Sequence, residues 1–64
     1  MKINGEKFKK LLYLKGYTQR SFAKDIGLPE VNIWKYAQGI YTPRAKRAKV
    51  IAKLLDCNIS DFID

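Results

Sequence analysis

Glycine and proline divide this chain into short segments, and their spacing limits the fold more than any other feature of the sequence. The breaks fall at Gly16, at Gly27 and Pro29, at Gly39 and Pro43, and at the polar stretch 56–58. Helices rarely continue through such positions, and strand patterns are weak throughout the chain. The sequence therefore predicts an all-α fold, a compact bundle of four to five short helices.

The helix limits follow from these breaks and from the capping residues beside them. The predicted helices are Gly5 to Lys15 after Asn4, Gln19 to Ile26 after Thr18, Glu30 to Gln38 with Pro29 at its first position, Arg44 to Leu55 after Pro43, and Ile59 to Ile63 after Asn58. Apolar residues at helical spacing predict the core. They are Phe8, Leu11, Leu12, Phe22, Ala23, Ile26, Ile33, Tyr36, Ala37, Ala48, Ala52 and Leu55.

Length and composition exclude several classes of function. The 64 residues predict a single domain, 1–64, and Cys57 is the only cysteine in a chain without histidine. Disulfides, zinc sites and histidine catalysis are therefore not expected, and neither is a cofactor or any other metal. No nucleophile, base and orienting group can be assembled, so we do not expect an enzyme. A free thiol and the lack of a long apolar run at the start predict a cytoplasmic protein, in the bacterial cytoplasm or nucleoid.

Charge indicates the kind of partner. Lys and Arg number 13 against 6 Asp and Glu, a net charge of +7. Such a charge density favours polyanions, of which nucleic acid is the commonest, although it also serves solubility alone. Five basic residues and no acid lie between Arg44 and Lys53, whereas three of the six acids lie in the last nine positions. The molecule should therefore have a basic side and a less basic tail.

The second and third predicted helices form the most informative pair. Only Gly27, Leu28 and Pro29 separate them. Two short helices joined by a tight turn that contains glycine form a helix-turn-helix unit, here about residues 18–38. In that unit the second helix enters the major groove of double-stranded DNA and the first lies across the backbone.

The same segments resemble a known family. The matching residues are Gly16-Tyr17-Thr18-Gln19, Phe22-Ala23, Ile26-Gly27-Leu28, Ile33, Tyr36, Gly39, Pro43, the stretch 51–55 and the stretch 58–62. Together they resemble the phage Cro/repressor-type (xenobiotic-response-element) helix-turn-helix family. The resemblance implies a lambda-repressor-like fold and a transcription regulator of phage or bacterial type that binds an operator.

The chain departs from that family pattern at one pair of positions. Members often join a glutamate of the third helix to an arginine of the first, where this sequence has Ala37 and Leu12. Exchange of both partners of a buried ion pair for apolar residues is neutral or stabilising in many cases. The fold prediction is therefore unaffected.

Helical geometry assigns the face of the third helix that reads DNA. With Ile33 turned inward, a rotation of about 100° per residue turns Val31, Lys35 and Gln38 outward, with Asn32 and Trp34 at the edges. The predicted base contacts are Glu30, Val31, Asn32, Trp34 and Lys35. Lysine suits guanine O6 and N7, valine the thymine methyl, asparagine adenine, and glutamate cytosine N4.

Each of these residues also has an ordinary role. Lys35 is equally suited to phosphate, and Glu30 to the positive end of the helix dipole. Val31 and Asn32 are unremarkable at a solvated surface. For Trp34 the alternatives are packing on Tyr41 or Tyr17, stacking on the sugar-phosphate edge, or contact with a protein.

Contacts to the DNA backbone are expected from helix N-termini and basic side chains. The predicted residues are Thr18, Gln19, Gln38, Arg44, Lys46 and Arg47. The alternative for the basic run is a solvated helix face.

Apolar residues outside the core stripe predict a second surface. Val50, Leu54, Ile59 and Ile63 either are covered by a fifth helix that folds back or form a two-fold dimer contact, which would suit a palindromic operator.

Two further functions remain open at this point. An antirepressor or antitoxin-like factor would use the same scaffold to bind a protein, with Val31, Trp34 and Tyr41 as its apolar patch. The other alternative is that the chain is the DNA-binding part of a longer repressor.

Overall fold

The computed structural model describes all 64 residues. Its helices are α1 Gly5–Leu14, α2 Gln19–Ile26, α3 Glu30–Ala37 and α4 Ala45–Leu54, followed by a 3₁₀ turn Ile59–Asp61. An isolated antiparallel bridge between Ile3 and Ile63 is the only strand-type pairing. The predicted all-α fold is confirmed.

The helices α1 and α2 begin at the predicted capping residues. The Asn4 side chain accepts a hydrogen bond from the Lys7 backbone N–H at 3.1 Å. Thr18 accepts from the Ser21 N–H at 3.0 Å, while the Ser21 hydroxyl accepts from the Thr18 N–H at 2.9 Å. These reciprocal bonds satisfy N–H groups that a helix start leaves unpaired, so both helix starts are fixed by their own sequence.

The helices end where a residue adopts positive φ. These residues are Gly16, Gly27, Gly39 and Asp56. After α3, the Gly39 N–H donates to the Tyr36 carbonyl at 3.0 Å and the Ile40 N–H donates to the Lys35 carbonyl at 2.9 Å. This pair of bonds is a Schellman motif, which turns the chain back against the helix it has just left. The residues after α3 are thereby directed to its outer face.

Several predicted limits were wrong by a residue. The helices α1, α3 and α4 end at Leu14, Ala37 and Leu54, each one residue earlier than predicted, and α4 begins at Ala45 rather than Arg44. Pro29 precedes α3 as its cap in an extended conformation, with ψ 143°, and is not its first helical residue. Terminal residues have only half of the helical hydrogen bonds, so local patterns place them least well.

The predicted fifth helix is a larger error, because only a 3₁₀ turn forms. Its start is held by the Asp61 carboxylate, which accepts from the Asn58 N–H at 2.9 Å. Ile63 then leaves the turn to pair with Ile3, and the Asn4 N–H donates to the Phe62 carbonyl at 2.7 Å. Pairing with the N-terminal segment thus replaces the last helical turn.

The core positions α3 from beneath. Phe8 lies at the centre of this core. The centroid of its ring is 5.9 Å from that of Phe22, 6.1 Å from that of Tyr36 and 6.3 Å from that of Phe62. Nearly all predicted core residues are buried, while Leu11 and Ile26 are partly buried and pack against the others. Ile51, which was not predicted, is fully buried beside them. The apolar stripe of α4 is wider than expected, as is common for a helix packed on a core.

Two further features support the fold: the apolar pair that replaces the family's ion pair, and the attachment of the N-terminal segment. Leu12 and Ala37 are both buried among apolar residues, in keeping with an apolar replacement of an ion pair. The Ile3 N–H donates to the Thr42 hydroxyl at 3.1 Å, which ties the N-terminal segment to the loop between α3 and α4. No helix has both the length and the apolar character needed to cross a membrane.

Candidate nucleic-acid interface

The outer face of α3 is open to solvent, as its periodicity predicted. Ile33 is fully buried, whereas Val31 is 53% exposed and Trp34 is 45% exposed. Glu30 and Gln38 are also exposed, while Asn32 and Lys35 are half-buried. No other helix covers this face, so the predicted orientation is confirmed.

Lys35 is held by the loop that follows its own helix. Its Nζ atom donates to the Tyr41 hydroxyl at 3.2 Å and lies 4.5 Å from the centroid of that ring. The backbone supports this contact, because the Ile40 and Tyr41 N–H groups both donate to the Lys35 carbonyl, at 2.9 and 3.4 Å. The lysine therefore has a defined position while its ammonium group stays at the surface.

The first turn of α4 forms a basic groove beside this loop. A cavity of about 580 Å³ is lined by Tyr36, Tyr41, Thr42, Pro43, Arg44, Lys46, Arg47 and Val50. The two ion pairs of the molecule lie elsewhere, between Lys7 and Asp64 at 3.6 Å and between Lys9 and Glu6 at 3.0 Å. The three cations of the groove thus have no acidic partner and are available to an external anion.

The sequence of the chain matches a known family. Residues 7–64 match the model of the Cro/C1-type HTH DNA-binding domain. The chain belongs to that family. No curated protein and no solved structure gave a significant match. The resemblance inferred from the sequence is confirmed, and the geometry above belongs to a DNA-binding fold.

In this Cro/C1-type domain, the start of α2 offers donors to an anion. Thr18 and Ser21 satisfy each other, which leaves the backbone N–H groups of Gln19 and Arg20 without a partner. Such groups at the positive end of a helix favour phosphate. Thr18 and Gln19 do not line the basic groove, so the structure brings together only Arg44, Lys46 and Arg47 of the predicted backbone set.

Trp34 forms no aromatic ring pair with either of the residues considered for it, Tyr17 and Tyr41. Tyr17 pairs with Phe22 at 5.1 Å between centroids and donates its hydroxyl to Asp25 at 2.9 Å, while Tyr41 is engaged by Lys35. The hydrogen bond to Asp25 also raises the pKa of Tyr17. The exposed part of Trp34, 45% of the residue, is open to DNA or to a protein.

The predicted dimer surface is only partly at the surface. Val50 and Leu54 are exposed one turn apart on α4, and Ile59 is half-buried against the core. Ile63 is 8% exposed because it pairs with Ile3, so its assignment to a dimer contact was wrong.

Two residues beside the candidate interface were not assigned to it in the sequence analysis. Tyr41 was considered as a neighbour of Trp34 and not of Lys35, and exposed Arg20 was not singled out. The position of Tyr41 just after the glycine that ends α3 was the available indication, because a Schellman motif returns the chain to the helix. For Arg20, the indication was a basic side chain in the first turn of α2.

Proposed function

We propose that this chain is a sequence-specific regulator of transcription that binds double-stranded DNA with α3 in the major groove. One observation carries the proposal. Lys35 on the open face of α3 contacts Tyr41, and Tyr41 lines the groove that contains Arg44, Lys46 and Arg47. A base-reading position and a set of free cations thus form one continuous surface. A DNA-bound regulator needs no chemistry of its own, and its place is the bacterial cytoplasm or nucleoid.

The exposed residues of α3 suit base edges. Lys35 is assigned to guanine, Val31 to a thymine methyl, Asn32 to adenine and Glu30 to cytosine, by the hydrogen-bond pattern that each base presents. Trp34, which is 45% exposed, is assigned to the apolar edge of a base or sugar. Lys35 is the strongest of these assignments because its position is already fixed.

Backbone contacts hold the domain in register. Arg44, Lys46 and Arg47 are assigned to one stretch of phosphates, and Thr18 and Gln19 to another through the start of α2. Gln38 extends the first set from the end of α3. About six neutralised phosphates would lower affinity by about three decades between 50 and 200 mM salt.

The operator is proposed to be palindromic and bound by a homodimer. Val50 and Leu54 supply an exposed apolar strip on α4 for contact with a second copy. A two-fold dimer would place its two copies of α3 about one turn of DNA apart. Sedimentation with and without DNA measures this, and a strictly monomeric complex on a single half-site would refute it.

Selection from a randomised duplex pool is the direct test. A recovered consensus with defined spacing is the expected result. Lys35→Ala and Val31→Ala should each relax the preference at one base pair, at a cost of about 1–3 kcal/mol for the lysine. Lys10→Ala and Leu14→Ala are the matched controls, exposed residues on α1 that should leave the consensus unchanged. A pool that yields no consensus would refute sequence-specific binding.

Salt dependence tests the basic groove separately. Replacement of Arg44, Lys46 and Arg47 by Gln should reduce the salt slope by about 2.7, at about 0.9 per phosphate contact. The control triple replaces Lys10, Lys49 and Lys53, which do not line the groove. Both triples lower the net charge from +7 to +4. Equal slopes for the two triples would show that only total charge matters and would contradict the assigned contacts.

A protein-binding role is the second candidate. Val31, Trp34 and Tyr41 are all exposed near the α3 surface, and aromatic residues dominate binding hot spots. A gel-shift assay with random duplex at low salt separates the two functions. Binding that is lost with added salt favours DNA, and no binding favours a protein partner.

A further inference from the structure

We propose that Tyr41 is a specificity-determining residue that positions the Lys35 ammonium group for one guanine. The inference rests on the proposed DNA-binding function and concerns how a flexible lysine acquires a base preference. Lysine is a point charge on a long stem and serves phosphate as readily as a base. Discrimination therefore requires something that fixes the direction of its donors.

The loop after α3 supplies that constraint at two levels. Three backbone bonds fix the path from Gly39 to Tyr41: the two of the Schellman motif and the bond from the Tyr41 N–H to the Lys35 carbonyl. Tyr41 then contacts the ammonium group of Lys35. The Nζ atom lies 4.5 Å from the centroid of the Tyr41 ring and 3.2 Å from its hydroxyl oxygen. The ammonium group thus lies at the hydroxyl end of the ring, within the range of a cation–π contact.

The donor count of the ammonium group fits a bidentate contact. A lysine ammonium has three N–H donors, and the Tyr41 oxygen accepts one of them. Two donors remain, and guanine presents two acceptors, O6 and N7, in the major groove. Other base pairs do not present this pair of adjacent acceptors, so a lysine with one donor already engaged is directed toward guanine.

The constraint also lowers the cost of binding. A side chain that is ordered before it meets DNA loses less rotamer freedom on binding. No acid competes for Lys35, because both ion pairs of the molecule involve other lysines. Tyr41 therefore holds Lys35 without neutralising it.

The experiment measures base preference in a cycle of variants. Affinities are determined for the selected duplex and for the duplexes that replace the base pair read by Lys35. The proteins are the wild type, Tyr41→Ala, Tyr41→Phe, Lys35→Ala and the double variant, with Tyr13→Ala as a control at another exposed tyrosine. Thermal unfolding by circular dichroism verifies that each variant is folded at the assay temperature.

Tyr41→Ala should lower the preference for guanine about two- to fivefold, the value of an exposed cation–π contact. Tyr41→Phe retains the ring and should restore part of the preference. In the Lys35→Ala background, Tyr41→Ala should change no base preference at all. Tyr13→Ala should behave as the wild type.

The remaining outcomes would overturn the inference. A Tyr41→Ala protein with undiminished guanine preference, or one weakened equally on every duplex, would show that Tyr41 does not act through Lys35. A Lys35→Ala protein weakened equally on every duplex would show that Lys35 contacts phosphate. A wild type without preference for any duplex would instead refute the proposed function itself, so the two failures are distinct.

Discussion

Substitution of Gly5 by alanine tests how closely α1 approaches the end of α3. Gly5 is the first residue of α1, and a Cβ atom there would overlap the Ala37 carbonyl oxygen. It would also lie 2.9 Å from the Ala37 carbonyl carbon and 3.1 Å from the Gly39 nitrogen. All three obstacles are backbone atoms at the end of α3, so none can rotate away.

Two opposing effects determine whether Gly5→Ala raises or lowers the free energy of unfolding. Alanine favours a helix over glycine by up to about 1 kcal/mol. Overpacking costs about 1–3 kcal/mol, and backbone atoms fixed by the Schellman motif place this site near the upper end. Gly5→Ala should therefore destabilise the fold by about 2 kcal/mol, or about 8–16 °C in Tm for a domain of this size.

Urea unfolding followed by circular dichroism measures the change. Ala45→Gly is the matched control, because Ala45 is the first residue of α4 and is exposed. It should lose no more than about 1 kcal/mol, which gives the propensity contribution alone. If Gly5→Ala were as stable as the wild type or more so, the close approach of α1 to α3 would be wrong.

Two further substitutions and one alkylation reaction test residues that support the fold. Asp56 has φ 51°, so Asp56→Gly should raise the free energy of unfolding by up to about 1 kcal/mol in a urea titration, and a loss would contradict strain at this position. Thr42→Val should lower it by about 1–2 kcal/mol, because the Ile3 N–H loses its acceptor, and unchanged stability would mean that water replaces the hydroxyl. Burial raises the pKa of the Cys57 thiol, so alkylation at mildly alkaline pH should be slower in the folded protein than in urea. Since the folded form holds that proton more tightly, stability should also fall as pH rises above the ordinary thiol pKa, and a faster reaction when folded would contradict both results.

Local sequence was sufficient for the four α-helices and for the orientation of α3. Gly27 and Gly39 mark helix ends because glycine, which has no Cβ atom, adopts positive φ without steric cost. Thr18 caps α2 through hydrogen bonds to its neighbours. The inward position of Ile33 follows from helical periodicity within eight residues. Such features depend on contacts a few residues apart, which a pattern in the chain can represent.

The rest depends on contacts between distant segments. The pairing of Ile3 with Ile63 has no local pattern, and it converts a predicted helical turn into an extended end. The contact between Lys35 and Tyr41 requires the path of the loop, and the tight fit at Gly5 requires the position of α3. The sequence therefore predicted which residues face outward, but it did not predict which of them contact one another.

The pairing of the two chain ends has a consequence for the loop at the DNA-binding surface. The Asp64 N–H donates to the Lys2 carbonyl at 2.8 Å, and the next residue, Ile3, is the one bound to Thr42. Loss of the pairing at the C-terminal end would therefore weaken the hold on the N-terminal segment, and with it the hydrogen bond to Thr42 beside Tyr41. The two chain ends, which are farthest apart in sequence, are in this way linked through Thr42 to the loop whose Tyr41 contacts Lys35.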